Sequence, residues 1–186
     1  MPKAVFAEKT VETPEGVTLE LENMKVTAKG PKGSLERDFT GEPVKMVMLK
    51  GNLKLSVSFP RKRELAMLGT IAAHVTNMIT GVTQGYTYKL TIVYSHFPIT
   101  VDIKPQEVII KNLYGQRDPR KAKIFGEDVK VKVEGDEIII TGINKEHVGQ
   151  TSANIQEVCK LRGKFHKDPR RFMDGIWLSA QYIGTD

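Results

Sequence analysis

Apolar and polar positions alternate along much of this chain. Val17, Leu19 and Leu21 lie on one side of a stretch whose other side carries Thr18, Glu20 and Glu22, the period-two signature of a half-buried strand. Met24 to Thr27 continues the β pattern into a turn-rich KGPKGS at Lys29 to Ser34. Val44 to Leu49 and Leu53 to Phe59 flank Gly51-Asn52 and predict a tight hairpin. Pro60 ends that pattern. From Arg61 to Ile79 the spacing becomes helical, with Leu65, Leu68, Ala72, Val75 and Ile79 on one stripe and Gly81 placed as a stop. Thr87 to Val93 then alternates again, and residues 1–16 read as a loose polar arm.

The second half repeats this order. Strands are predicted at Ile99 to Ile103 and Val108 to Lys111, with a turn at Tyr114-Gly115. Val129, Val131 and Val133 alternate with Lys130, Lys132 and Glu134. A hairpin turn at Gly135-Asp136 and a return strand from Glu137 to Thr141 follow. Asn144 is a natural N-cap for a helix from Lys145 to Lys160, with Val148, Ser152, Ile155 and Cys159 on its stripe. Met173 to Ser179 is a closing strand. Three pairs suggest an internal duplication: Gly51 with Gly135 (84 positions apart), Gly69 with Gly149 (80) and Gly85 with Gly175 (90). The prediction is an α+β chain of two tandem, duplicated units, each a small, mainly antiparallel sheet packed on one helix. The first would span 1–94 and the second 95–186.

The copies differ most between the helix and the last strand. Thr80 to Gln84 in the first unit faces LRGKFHKDPRRFM in the second. With Lys160 just before it, that stretch holds Arg162, Lys164, Lys167, Arg170 and Arg171 against Asp168 alone, with Phe165, His166 and Phe172 among them. Cations at this density suit phosphates, and rings suit unpaired bases, so the pattern points to RNA. The same residues also fit a solvated loop that Phe165 and Phe172 merely anchor. A second candidate is Lys111 to Lys123, with Lys111, Arg117, Arg120 and Lys121 beside Tyr114. Lys29, Lys32 and Arg61 to Arg63 are weaker ones.

Composition adds little beyond this. The 186 residues carry a net charge of +6, which fits a polyanionic partner without requiring one. The single cysteine, Cys159, excludes an internal disulfide and suits a reducing compartment. No stretch reads as a membrane span or a secretory signal, and the expected location is cytosolic. His74, His96, His147 and His166 lie far apart, and no nucleotide-binding or nucleophile motif occurs, so neither an enzyme nor a cofactor or metal site is expected. Cys159 falls on the apolar stripe of its helix and reads as inert.

Three separated stretches carry a family resemblance: NMITGVTQGYTYKLTIVYSHFPI (Asn77 to Ile99), TGINKEHVGQTSANIQEVC (Thr141 to Cys159) and DPRRFMDGIWLS (Asp168 to Ser179). The chain resembles the universal family of large-subunit ribosomal proteins numbered six in bacteria and nine in eukaryotes, and its DGI-aromatic ending is similar to the eukaryotic branch. The resemblance implies two copies of an α+β unit, no catalysis and no cofactor. It implies a structural constituent of the large subunit that binds large-subunit ribosomal RNA near the sarcin–ricin loop and the stalk base, supporting docking of translation factors. The implied partners are that RNA, neighbouring ribosomal proteins including the stalk base and nearby translational GTPases, with no membrane. The implied location is the cytoplasmic large subunit, with nucleolar assembly in a eukaryote. A free-standing RNA-binding or RNA-processing factor using the same loop is the alternative.

Overall fold

The computed structural model of the chain describes residues 6–49, 51–161 and 173–185. They form two compact units, divided between Gln84 and Gly85. The first contains β1 (Phe6–Val11), β2 (Thr18–Glu22), β3 (Lys25–Gly30), β4 (Gly33–Asp38), β5 (Lys45–Leu49), β6 (Asn52–Ser58) and α1 (Lys62–Thr83). The second contains β7 (Tyr86–Val93), β8 (Thr100–Ile103), β9 (Glu107–Lys111), β10 (Arg120–Lys123), β11 (Lys130–Glu134), β12 (Glu137–Gly142), α2 (Lys145–Cys159) and β13 (Gly175–Ile183). A short 3-10 turn at Leu113–Gly115 joins β9 to β10.

Each unit pairs two antiparallel sheets with one helix. In the first the sheets run β1-β6-β5 and β2-β3-β4; in the second they run β11-β12-β7-β13 and β10-β9-β8. Matching these orders makes β7 the counterpart of β1, β8 to β10 the counterparts of β2 to β4, and β11 and β12 those of β5 and β6. Among the described strands only β13 has no equivalent. The fold is therefore the duplicated α+β architecture the periodicity predicts, with two small sheets per unit.

The duplication corrects three expectations. Tyr86–Val93 pairs with β12 and β13, so it opens the second unit instead of closing the first at residue 94. Gly85 and Gly175 are thus not repeat equivalents, since Gly175 begins the unmatched strand. Residues 6–11 are not a loose arm, because β1 pairs along its whole length with β6. This strand escapes the hydrophobic pattern because it lies at a sheet edge. Lys9 shares a strand face with Ala7 and Val11 but is exposed, a charge of the kind that disfavours unwanted pairing at an edge.

The helices show the repeat most directly. Every buried residue of α2, namely Val148, Thr151, Ser152, Ile155 and Cys159, has a buried counterpart in α1 80 positions earlier: Leu68, Ile71, Ala72, Val75 and Ile79. Two of the five are polar in α2. The Thr151 hydroxyl accepts from the Phe125 backbone N–H at 3.0 Å, which offsets the cost of burying it. Each fully buried aliphatic side chain, such as Val75 or Ile155, stabilises its unit by about 1.5–3 kcal/mol.

Element ends differ from expectation for local reasons. Leu65 lies off the buried stripe and is exposed. Gly81 does not stop α1 but is buried inside it; the left-handed residue after the helix is Gly85, at φ 78°. Asn52 is not a turn residue but the first residue of β6, paired with Leu49. Arg120–Lys123, expected as loop, is a strand whose inward residue is only the small Ala122, so its alternation carries almost no hydrophobic signal. By length and composition α1 passes for a membrane span, contrary to the expectation that no stretch would. It is instead the core helix of its unit, with Leu68, Val75 and Val82 buried against the sheets.

Candidate nucleic-acid interface

The basic stretch leaves the helix α2 and returns as β13. Of the residues expected to bind RNA, Arg162, Lys164, Phe165, His166, Lys167, Arg170, Arg171 and Phe172 lie outside the described residues. Its two ends are described, and both are tied to the connection between β9 and β10.

At the leaving end, α2 finishes at Cys159, with Lys160 as its C-cap. Helix ends leave carbonyls without intrahelical donors and carry partial negative charge there. The Arg120 guanidinium supplies both needs. Its Nη1 donates to the carbonyl oxygens of Val158 at 2.6 Å and Lys160 at 3.1 Å. Its Nε and Nη2 donate to Gln116 Oε1 at 3.2 and 2.9 Å, which locks the fork in plane. In the first unit the same ladder position, opposite Ala28 as Arg120 is opposite Ile110, holds Leu35.

At the returning end, the Tyr114 hydroxyl donates to the Asp174 carbonyl at 2.8 Å. Burial and the nearby Asp174 carboxylate raise the phenol's pKa above its ordinary value, so it stays protonated and a donor. Tyr114 reaches this point from a left-handed backbone, φ 54°, following Asn112 at φ 59°. Trp177 Nε1 donates to the Met173 carbonyl at 2.8 Å, and Leu178 N–H donates to Gln156 Oε1 on α2.

The remaining described candidates sit around this clasp. Lys111 pairs with Asp102 at 2.6 Å, Lys121 with Glu107 at 4.0 Å and Lys160 with Glu157 at 2.8 Å, all on exposed side chains. Such surface pairs are worth little, so these ammonium groups remain free to exchange partners. Arg117 is exposed and has no hydrogen bond or ion pair among the described residues. Arg120 is different: its donors are committed within the chain, which makes it a positioning residue and not a free cation. Of the weaker candidates, Lys29 bonds Glu20, Lys32 bonds the Gln84 carbonyl at the end of α1, and Arg61 to Arg63 are exposed.

Among the described residues no cluster of three His, Cys, Asp or Glu side chains could hold a metal. Burial pushes the Cys159 thiol up to about 11, which keeps it a thiol at neutral pH. His147 contacts Asp128 at 2.5 Å, but the other Asp128 oxygen accepts from the Asn144 backbone N–H at the start of α2, a structural arrangement. An open groove of about 480 Å³ lies beside Pro105, Glu107, Lys123 and Glu127.

Tyr114 and its bond to Asp174 were not legible in the sequence as a clasp. The signal available was a left-handed Asn–Leu–Tyr–Gly turn next to a strand too polar to stand on its own.

A duplicated α+β scaffold whose second copy ties down the residues flanking an added basic segment defines the class. The comparisons give the family. The ribosomal protein L6 family matches twice, over residues 13–85 and 97–167. Large ribosomal subunit protein uL6 from Methanobrevibacter smithii is 49% identical over 181 residues, covering 97% of this chain and 99% of that protein. The uL6 proteins of Methanosphaera stadtmanae and Staphylothermus marinus are 47% and 49% identical, covering 96% and 90% of this chain and 95% and 91% of theirs. The chain belongs to the ribosomal protein L6 family. It is accordingly a ribosomal protein without enzymatic activity, as the absence of a catalytic motif led one to expect.

Proposed function

We propose that this protein is a structural constituent of the large ribosomal subunit that grips large-subunit ribosomal RNA through the basic segment between α2 and β13. The observation that carries the reading is the double clasp. Arg120 holds the carbonyls where that segment leaves, and Tyr114 holds the carbonyl where it returns. Fixing both ends lowers the ordering entropy lost when the cations meet phosphates. Lys160, Arg162, Lys164, Lys167, Arg170 and Arg171 are assigned phosphate contacts, with Phe165, His166 and Phe172 as stacking or anchoring groups. Lys111, Arg117 and Lys121 extend the positive surface. Contacts of this kind fix position more than they read sequence.

The family resemblance supports a finer placement near the sarcin–ricin loop and the stalk base, with neighbouring ribosomal proteins and docking translational GTPases as partners. Relatives named as large-subunit proteins support a ribosomal location in the cytoplasm. Ultraviolet crosslinking in cells, followed by sequencing of the attached RNA, tests the proposal. The expected result is reads concentrated on one stretch of large-subunit RNA beside the stalk base. Reads spread over messenger or transfer RNA would overturn it in favour of a free-standing RNA-binding factor.

A further inference from the structure

The connection between β7 and β8, residues 94–99, reads YSHFPI. Its first five positions are exposed, with Tyr94 at 42% and Phe97 at 47%. Three rings within four residues face solvent there, Tyr94, His96 and Phe97, whereas singly scattered exposed apolar groups would need no explanation.

The duplication supplies an internal control. The equivalent connection in the first unit, between β1 and β2, is residues 12–17, also six long, and reads ETPEGV. It has no ring and carries two carboxylates. Both connections end on an apolar residue packed on a core, Val17 and Ile99. The fold therefore closes this connection without aromatic residues, so their presence in the second unit needs another cause.

The connection is anchored at Phe97 and Pro98. Asn112 Nδ2 donates to the Pro98 carbonyl at 3.0 Å. The Phe97 ring lies over Gly115, where an added Cβ would meet it at 3.0–3.2 Å. Val93 pairs with Gly175, so Tyr94 leaves its strand beside Asp174, the residue whose carbonyl Tyr114 holds. Arg117, two residues beyond Gly115, is an exposed cation without a partner among the described residues.

We propose that Tyr94, His96 and Phe97, with Arg117, form a stacking shelf for unpaired bases of the RNA that the neighbouring basic segment grips. The proposal rests on the RNA-binding reading above. Ring faces stack on any base, at roughly five- to a hundredfold in affinity per base, while the guanidinium meets the adjoining phosphate. The adjacent cation favours RNA over an apolar protein surface as the occupant.

The test uses the full-length protein, a labelled ten-nucleotide oligoadenylate and a blunt RNA duplex, at fixed salt. Tyr94→Ser and Phe97→Leu should each lower oligoadenylate affinity about tenfold. Duplex affinity and melting temperature should stay unchanged, and Tyr94→Phe should keep the affinity of the parent protein. Leucine is chosen at 97 because it retains an apolar cover on Gly115. Unchanged oligoadenylate affinity in the variants, with duplex binding intact, would overturn the shelf and leave the RNA grip standing. Equal loss on both RNAs together with a lowered melting temperature would show that the rings only hold the loop, and would overturn it too. An unsubstituted protein that binds neither RNA would overturn the RNA-binding reading itself.

Discussion

The Tyr114 hydroxyl donates to the Asp174 carbonyl across sixty positions of sequence, and the loop that carries Tyr114 leads into Arg120, the first residue of β10. One short connection therefore holds both ends of the segment that distinguishes the second copy from the first. The first unit lacks the segment and has leucine where Arg120 stands; its equivalent β3–β4 turn reaches only its helix end, where the Lys32 N–H donates to the Val82 carbonyl and its ammonium to that of Gln84. The added segment and its foundation belong together.

Arg120→Ala should separate positioning from direct binding. Its guanidinium is spent on Val158, Lys160 and Gln116, so its removal should weaken binding to large-subunit RNA several-fold while leaving the slope of log affinity against log salt unchanged. Arg170→Ala combined with Arg171→Ala should instead reduce that slope by about 2, one for each phosphate that no longer meets a guanidinium. For the intact segment, six neutralised phosphates imply a fall of about a thousandfold between roughly 50 and 200 mM salt. Equal slopes in all variants would contradict the phosphate assignment.

Tyr114→Phe removes one hydrogen-bond donor and nothing else. The expected cost is about 0.5–1.5 kcal/mol in denaturant unfolding, with a matching modest loss of RNA affinity. Amide exchange should quicken at the start of β13 and stay unchanged in the first unit. A uniform increase over both units would mean that the bond supports the whole fold and not one end of the segment.

Much of the architecture was legible because alternation and helical stripes report burial directly. β2, β6 and β12 carry Leu19, Leu55 and Ile138 on strict period two, and Val75 and Ile155 mark the same position of the two helices. Edge strands were hard to read. β1 puts the exposed Lys9 on the same face as Ala7 and Val11, and β10 has only Ala122 to bury, so both resemble loops. Placing β7 in the wrong copy follows from treating each unit as ending on a strand, when pairing shows that each begins on one. The basic segment was visible as composition, but its foundation depends on hydrogen bonds between residues 38 to 60 positions apart, which no local pattern encodes. The ring-bearing connection carries no signal of its own, because YSHFPI reads as the lead into a strand until it is set beside ETPEGV.

Gly126→Ala should be strongly destabilising. The backbone there is left-handed, φ 88°, and an added Cβ would lie 2.3 Å from His147 Nδ1 and 2.7 Å from Asp128 Oδ1. The substitution must break either the backbone conformation or the His147–Asp128 contact at the start of α2. A loss of about 2–4 kcal/mol is expected in equilibrium unfolding, whereas Gly149→Ala inside α2, where the nearest atom lies at 3.9 Å, should gain about 0.5–1 kcal/mol.

Cys159 gives a pH test with a definite sign. Burial raises the folded thiol to about 11 from an ordinary 9.0. Below pH 9 both states keep the proton, and the stabilising contribution of the buried thiol is fully present. As pH rises above 9 the unfolded chain ionises first, and stability falls until the folded thiol also ionises near 11. The difference of about two units corresponds to about 2–3 kcal/mol at the alkaline end. Melting temperature measured from about pH 8 to 11 should decline less steeply in Cys159→Ala, although that variant starts lower because the side chain is packed against the core. Alkylation by iodoacetamide at about pH 8 should be slow in the native protein and rapid once denaturant is added. Fast labelling without denaturant would show that the thiol is reachable, and that α2 does not hold it against Ile176 and Gly175 as the structure describes.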